Sequence, residues 1–275
     1  MNLLLLCRPG FEPETAAEIA DWAVRHGIAG YPEAVRGDGV VRFHCLDPNP
    51  QARLPAQGAL IFSRQCTRVL ADLDQLDASD RLTPMLDALR GHGVRFGDLI
   101  VEHPDSDACK PLAGLARSFG NALRPALRKA GLLTMQPDAA LACLHVCFLA
   151  GTHAFLGLSE PRGAKVWPQG IPRLRVPREA PSRSAQKLEE ALHVLLTPAE
   201  RARWLKPGMK AADLGAAPGG WSWILARSGV HVTAIDNGPL SEVALATGLI
   251  RHVRADGFSW QPAQALDWMV CDMVE

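Results

Sequence analysis

The run Asp213-Leu-Gly215-Ala-Ala217-Pro218-Gly219-Gly220-Trp221 sets glycines directly behind an acidic residue, between a strand-like and a helix-like segment. Glycines at such a junction let the backbone turn tightly and let a ligand approach it closely. A second carboxylate, Asp236 in Ala-Ile-Asp-Asn-Gly, follows about 20 positions on, where it can hydrogen-bond both hydroxyls of a ribose. Two nucleoside-bearing ligands fit, a dinucleotide or S-adenosyl-L-methionine. Three details favour the second. The turn is not GxGxxG, so the usual pyrophosphate seat is missing. Asp213 would repel a pyrophosphate but could accept a bond from the ammonium of a methionine moiety. A third carboxylate, Asp256 in Ala-Asp-Gly, could accept from an adenine amine.

A fourth strand-like segment delivers Asp272 within Cys271-Asp272-Met-Val-Glu. Ligands bind at the carboxyl ends of strands in sheets of this kind. The Asn/Asp-Pro-Pro-aromatic motif that holds a planar amine is absent, which favours methyl transfer to oxygen over nitrogen. Cys271 is expected to point into the core as the last strand residue. Lys187 sits in the first turn of a helix, where the dipole disfavours a cation, and a misplaced charge points to function. Cys143, His145 and Cys147 alternate along a strand and face one side. With no fourth ligand in view they read as core, and no metal is expected.

These residues need a scaffold to hold them. Segments 211–215, 230–235, 250–254 and 267–271 read as strands, with helices at 221–227 and near 240–247. Such alternation means a parallel doubly wound sheet. A helix precedes it, capped by Ser182 or Ser184, with an apolar face of Leu188, Ala191, Leu192 and Leu195. The first 165 or so residues read as mixed α+β. Strands are expected at 2–7, Val40–His44, Ala59–Phe62 and Asp98–His103, and a hairpin from Leu141–Leu149 and His153–Leu158. Helices are expected at Glu14–His26, Leu82–Leu89 and Lys110–Lys129, the last broken at Gly120-Asn121. Lys110, Arg117, Arg124 and Arg128 would form a basic stripe on that helix if it were continuous.

The 275 residues carry 29 basic and 29 acidic side chains, so whole-chain charge does not point to nucleic acid. Distribution does. Between Pro161 and Lys187, prolines and glycines remove regular structure while basic residues crowd, with only Glu179 opposing them. Arg162, Lys165, Arg173 and Arg175 are the expected RNA contacts, and Trp167 could stack on a base. The seven cysteines are odd in number and lack a CxxC pair, which favours reduced thiols. No apolar run approaches the ~20 residues of a membrane span. A cytoplasmic protein with no membrane partner is the expectation.

The glycine turn resembles the cofactor loop of the FtsJ-like ribose 2′-O-methyltransferases. More particular runs are Cys7-Arg-Pro-Gly-Phe11-Glu, Gly170-Ile-Pro-Arg-Leu174, Ala180-Pro-Ser-Arg-Ser184, Lys187-Leu-Glu-Glu190, Asp236-Asn-Gly-Pro239 and Trp268-Met-Val-Cys-Asp-Met-Val-Glu275. Together they resemble the bacterial 23S rRNA ribose 2′-O-methyltransferase M family. The resemblance implies an α/β protein in which an α+β THUMP/ferredoxin-like RNA-binding region precedes a partial Rossmann-like methyltransferase domain. The implied division is 1–70 (ferredoxin-like), 71–165 (THUMP-type), 166–181 (basic linker) and 182–275 (methyltransferase, incomplete). The implied reaction is methyl transfer from S-adenosyl-L-methionine to the 2′-hydroxyl of a cytidine in 23S rRNA, by a monomer. By position, Ser184, Ala217, Pro218, Gly219, Gly220, Asp236, Asp256 and Asp272 would line the cofactor pocket, beside Asp213 and Gly215 of the same turn. Lys187 and Asp272 would match the first two members of a Lys-Asp-Lys-Glu catalytic set. The family pattern continues beyond Glu275 with the second lysine and the glutamate, so the resemblance also implies that this 275-residue chain is inactive or nearly so. Other readings are a non-catalytic RNA-binding module and, weaker, an NAD-dependent oxidoreductase.

Overall fold

The structure, a computed structural model, describes residues 2–46, 55, 59–160, 167–175 and 177–273. It divides into two compact units, Met1–Ile171 and Pro172–Glu275.

The first unit is built on a seven-stranded sheet of order β2-β3-β1-β4-β7-β6-β5. Its strands are β1 (Asn2–Cys7), β2 (Gly30–Ala34), β3 (Val40–Cys45), β4 (Ser63–Leu73), β5 (Asp98–Glu102), β6 (Cys143–Ala150) and β7 (His153–Ser159). All neighbours are antiparallel except β5 and β6. Strand alternation divides the apolar residues between the two faces. Leu3 and Leu5 join Val41 and Phe43 against Ile19 and Trp22 of α1 (Glu12–Arg25). Leu4 and Leu6 pack instead with Val40, Cys147 and Phe155. Helices α2 (Leu82–Arg90) and α3 (Ala113–Lys129) bury Met85, Leu89, Leu123 and Leu127 against Leu99, Leu144, Val146, Phe148 and Leu156.

Four expectations are corrected here. The strand read at Ala59–Phe62 is displaced to β4, because the amides of Ile61 and Phe62 donate to the Glu18 carboxylate instead of a ladder. Strand β2 was not expected, since it contains Gly30 and Pro32. It is an edge strand, where proline costs no ladder bond, and a Cβ on Gly30 would crowd the Phe43 ring at 2.6 Å. Helix α3 runs unbroken through Gly120, whose absent side chain lets the helix approach Val101, 3.3 Å from the Cβ position. Pro125 lies inside that helix and forfeits one bond, a loss offset by burial of Leu123 and Leu127 on either side. The fourth concerns the basic stripe, which is largely spent within the unit. Arg124 bridges Asp98 at 2.8 Å and the Leu99 carbonyl at 2.7 Å, Lys110 pairs with Asp107 at 2.5 Å, and Arg128 donates to the Thr134 carbonyl at 3.2 Å.

Cys143, His145 and Cys147 are buried. Both nitrogens of His145 are engaged, by Glu102 at 2.8 Å and Ser159 at 3.0 Å. Burial pushes the Cys143 thiol up to about 12 and Cys147 well above the usual thiol range. Among the described residues no group of His, Cys, Asp and Glu could hold a metal ion, and no helix is long and apolar enough to cross a membrane.

The second unit is a four-stranded parallel sheet of order β10-β9-β8-β11, made of β8 (Lys210–Leu214), β9 (His231–Ile235), β10 (Ile250–Val253) and β11 (Trp268–Cys271). Its helices are α4 (Ala185–Val194), α5 (Pro198–Trp204), α6 (Gly220–Arg227) and α7 (Glu242–Leu245). Leu188 and Leu192 of α4 and Trp223 to Ala226 of α6 share a core with Ala211, Val232, Ala234, Ile250 and Val270 of the sheet. The chain runs outward from β8 through β9 to β10, then returns to place β11 on the other side of β8. The order therefore reverses beside β8, and the crevice at the carboxyl end of such a reversal is where ligands bind in open α/β sheets.

One buried carboxylate in the first unit provides a test. Glu12 is buried and accepts from Gly39 N at 2.7 Å and Gly10 N at 2.9 Å. Burial alone would raise its pKa, but the backbone donors outweigh it and hold the carboxyl below its usual value. Its contribution is thus present above the unfolded-state pKa and lost as pH falls through the folded one. Glu12→Gln should cost about 1–3 kcal/mol at pH 7 and flatten the acid side of the stability curve, as read by melts from pH 3 to 7.

Candidate active site

Strand β8 ends at Leu214, and the chain turns through Gly215 and Gly219 into α6. Both glycines are left-handed, at φ +75° and +105°, and neither has room for a side chain. A Cβ on Gly215 would lie 2.6 Å from Met273 Cγ, and one on Gly219 2.7 Å from the Ala244 Cβ. Backbone strain and close packing both demand glycine at these two positions.

Asp236, at the end of β9, reaches back to this turn. Its two oxygens accept from Ala217 N at 2.8 Å and from Gly238 N at 2.7 Å. An ionised carboxylate offers about four lone-pair sites, so two remain for ligand hydroxyls. The Pro218 carbonyl accepts from Ser241 N at 2.9 Å, which ties the turn to the start of α7. At the next strand end Asp256 is exposed, its Oδ1 accepting from Phe258 N at 3.0 Å.

Asp213 is 1 % exposed, and its Oδ2 accepts from Ser222 Oγ at 2.7 Å. Burial is the main cause that pushes its pKa up to about 6, with the charges of Asp236 and Asp272 adding to it and the bonds from Ser222 opposing. A carboxyl poised there changes charge within the range where most enzymes work.

Lys187 and Asp272 come together. The Lys187 ammonium lies 3.2 and 3.3 Å from the two oxygens of Asp272, across 85 positions of sequence. The pair is open to solvent, with Lys187 65 % exposed. Asp272 is carried there by its own strand, its amide directed at the Leu214 carbonyl.

Some expected placements differ. Neither Ser182 nor Ser184 caps α4 through its hydroxyl. Ser184 is already helical, and the two hydroxyls bond each other at 2.6 Å. Cys271 is exposed rather than in the core, because Val270 takes the buried position of β11 and alternation turns its neighbours away. Arg173 and Arg175 are exposed, and Trp167 is half-buried. Arg162 and Lys165 lie outside the described residues. Ser222 and Met273 are site neighbours that sequence reasoning missed. A serine in a helix's first turn and a methionine after a strand are ordinary in any sequence, so neither carried a signal.

Comparison with known proteins matches this arrangement along the chain. Residues 1–67 match the RlmM ferredoxin-like domain, and 80–160 the N-terminal model of ribosomal RNA large subunit methyltransferase M. Residues 180–275 match the FtsJ-like methyltransferase model. Ribosomal RNA large subunit methyltransferase M of Xanthomonas campestris pv. campestris (strain B100) is 63 % identical over 274 residues, covering 100 % of this chain and 79 % of the relative. The protein of that name from Xanthomonas axonopodis pv. citri (strain 306) is 62 % identical over the same share of both chains. The chain belongs to the ribosomal RNA large subunit methyltransferase M family. Membership favours neither the oxidoreductase nor the non-catalytic module, and it resolves the choice left by the glycine turn to S-adenosyl-L-methionine. The expected loss of activity finds no support, since the match to these relatives runs over the whole of this methyltransferase chain. Among solved structures, TrmN from Thermus thermophilus aligns at a TM-score of 0.38 and 22 % identity over 93 % of this chain and 73 % of its own. A score that low carries no further inference.

Two measurements probe this geometry. Asp236→Ala should weaken S-adenosyl-L-methionine binding by about 2–3 kcal/mol, on the scale of hydrogen bonds to charged groups. Calorimetric titration beside a melt of the same variant separates that loss from unfolding, and an unchanged affinity would mean that the pocket is misplaced. The raised Asp213 pKa predicts a pH effect of the opposite sign to that of Glu12. Its folded value is above the unfolded one, so the stability it confers is full below about pH 4 and lost as pH rises through about 6. Asp213→Asn should remove that slope and, at pH 7.5, recover about 2–3 kcal/mol. Denaturant titrations at pH 4.5 and 7.5 measure both.

Proposed function

We propose that the chain transfers a methyl group from S-adenosyl-L-methionine to the ribose 2′-hydroxyl of a cytidine in 23S rRNA. The observation that carries this reading is the meeting of Lys187 and Asp272 at the carboxyl edge of the sheet, next to the glycine turn. A cation held by a carboxylate beside the cofactor turn suits an oxygen nucleophile, whose developing negative charge it can stabilise.

The residues divide the work. Bound cofactor supplies an electrophilic methyl group on its sulfonium sulfur. Asp236 accepts from the ribose hydroxyls of the cofactor, and Asp256 accepts from its adenine amine. Gly215, Ala217, Pro218, Gly219 and Gly220 let the ligand lie against the backbone, and Asp213 faces its methionine end. Asp272 orients Lys187 and borders the cofactor pocket. Lys187 then donates a hydrogen bond to the ribose oxygen while the hydroxyl proton passes to solvent water, to which the pair is open, and the charge that develops on the oxygen is stabilised.

The same reading gives the remaining parts their tasks. Residues 1–70 and 71–165 form ferredoxin-like and THUMP-type RNA-binding modules, 166–181 a basic linker, and 182–275 the methyltransferase. The exposed Arg173 and Arg175 contact the RNA backbone, and Arg162 and Lys165 extend that contact. The protein works as a cytoplasmic monomer on naked rRNA or an early ribosomal particle.

Ribose methylation blocks alkaline cleavage of the adjacent phosphodiester, which makes the product easy to recognise. Incubated with radiolabelled cofactor and unmodified 23S rRNA, the chain should yield an alkali-resistant dinucleotide that begins with cytidine. Lys187→Met should lower the rate by about 100-fold or more, the scale of losing one donor to a developing oxyanion, with cofactor affinity nearly unchanged. Label recovered on a base, or an undiminished rate in the variant, would sink the reading.

A further inference from the structure

The amino edge of the second unit's sheet is opposite in charge to the edge where the carboxylates gather. Lys210 opens β8, Arg227 ends α6, and α5 with the turn after it brings Arg201, Arg203 and Lys206. Bonds tie these pieces into one surface. The Trp204 carbonyl accepts from Trp268 Nε1 at 2.6 Å, Lys210 N donates to Asp267 at 2.8 Å, and Gly208 N donates to the Gly229 carbonyl at 2.8 Å. Glu200 and Asp267 are the acidic side chains set among these cations. Glu200 is turned back on its own N-cap, where it accepts from Thr197 N at 2.9 Å and Thr197 Oγ1 at 2.8 Å. Among the described residues Arg201, Arg203 and Lys206 form no ion pair, so positive charge is left in excess.

Helix α5 is not explained by the core. None of its seven residues is buried, although a capping box fixes its start and Leu205 beyond its end packs on the core. Trp204, its last residue, stays 42 % exposed while Trp268 holds its carbonyl. A ring of that size buries a large apolar area in a core or an interface, so one left in solvent between Arg203 and Lys206 is available to a partner. Cations in a helix's last turn gain from its dipole, which accounts for Arg201 and Arg203 but not for Lys206 or the indole. Cationic groups around an exposed indole match a nucleic-acid strand, whose phosphates take the charge and whose bases take the ring. The reaction proposed above also brings an RNA ribose to a carboxylate-lined edge that repels phosphate, so attraction has to come from other surface.

We propose that the amino edge of this sheet is an RNA-binding surface separate from the catalytic edge, on which Arg203 and Lys206 bind phosphates of a single-stranded rRNA segment and Trp204 stacks on one of its bases. The surface adds affinity and takes no part in methyl transfer. It reads no sequence, because phosphates are alike and every base has a face to stack on. The inference rests on the reading of rRNA as the substrate.

Binding of unmodified 23S rRNA to the full chain, measured over a range of salt concentrations, tests it. Arg203→Gln with Lys206→Gln should weaken binding about tenfold and reduce the slope of log affinity against log salt by about 1.4, as for two contacts to single-stranded phosphates. Arg203→Lys with Lys206→Arg, which keeps both charges, should leave that slope in place. Trp204→Ala should weaken binding about tenfold, and Trp204→Phe should restore most of it. Arg203 and Lys206 are exposed and lie away from the catalytic edge. Their glutamine variant should therefore keep its melt, its affinity for S-adenosyl-L-methionine and its rate at saturating RNA, with the loss confined to KM for RNA. Unchanged RNA affinity in either the glutamine variant or Trp204→Ala overturns the proposal and leaves the methyltransferase reading intact. Failure of the unsubstituted chain to bind rRNA, with a cooperative melt, would overturn both.

Discussion

The carboxylate of Asp236 accepts the amide hydrogens of Ala217 and Gly238 and so joins the end of β9 to the turn that leaves β8. That turn is closely packed on both sides. It reverses through two left-handed glycines, and its neighbours leave no room for anything larger. The rest of the unit is laid against it. Ala244 of α7 presses on Gly219, Met273 on Gly215, and the serines before α4 on Gly220. The indole of Trp221 holds the Ser184 carbonyl, and the same carbonyl receives the amide of Lys187, one step from the Lys187–Asp272 pair. Backbone placement and side-chain chemistry are therefore coupled through one short segment.

Parallel strands explain why the acidic residues gather there. Each strand of the second unit runs the same way, so Asp213, Asp236, Asp256 and Asp272 arrive at one edge although they are spread over some 60 positions. Their environments then differ. Asp213 is sealed in beside Ser222 and is driven toward its neutral form, Asp236 is occupied by backbone amides, and Asp272 meets a lysine in solvent. Three residues of one type thus acquire different properties from burial and partners alone.

The first unit uses its polar residues differently. Glu102 is 2 % exposed and accepts from Gln65 at 2.6 Å and from the amide of Gln169 at 2.5 Å, while also meeting His145. His145 passes the network on to Ser159. Such a buried network, with its members bonded to one another, rigidifies a fold and leaves little free for chemistry. The Cys-His-Cys alternation that could suggest a metal is accounted for by that network and by thiols whose pKa burial has raised.

Much of this was legible in the sequence, for reasons that are local. Strands β1, β3, β6 and β7 and helices α1 and α2 follow from short-range periodicity, and the doubly wound half from strand–helix alternation, because burial of one face leaves its period in the chain. Glycine turns and carboxylates at strand ends are likewise written within a few residues of one another. Where expectations failed, a partner distant in sequence had intervened: Glu18 drew the amides of Ile61 and Phe62 from a strand, the edge position made room for Pro32 in β2, and Val101 turned Gly120 from a break into a contact. The sequence by itself thus determined the kind of fold, the cofactor turn and the acidic strand ends. Only the tertiary structure decided that Lys187 meets Asp272, that Ser222 holds Asp213, and that Ser182 stands over Gly220. Contacts between residues far apart in the chain leave no local period, and packing alone brings them within bonding distance.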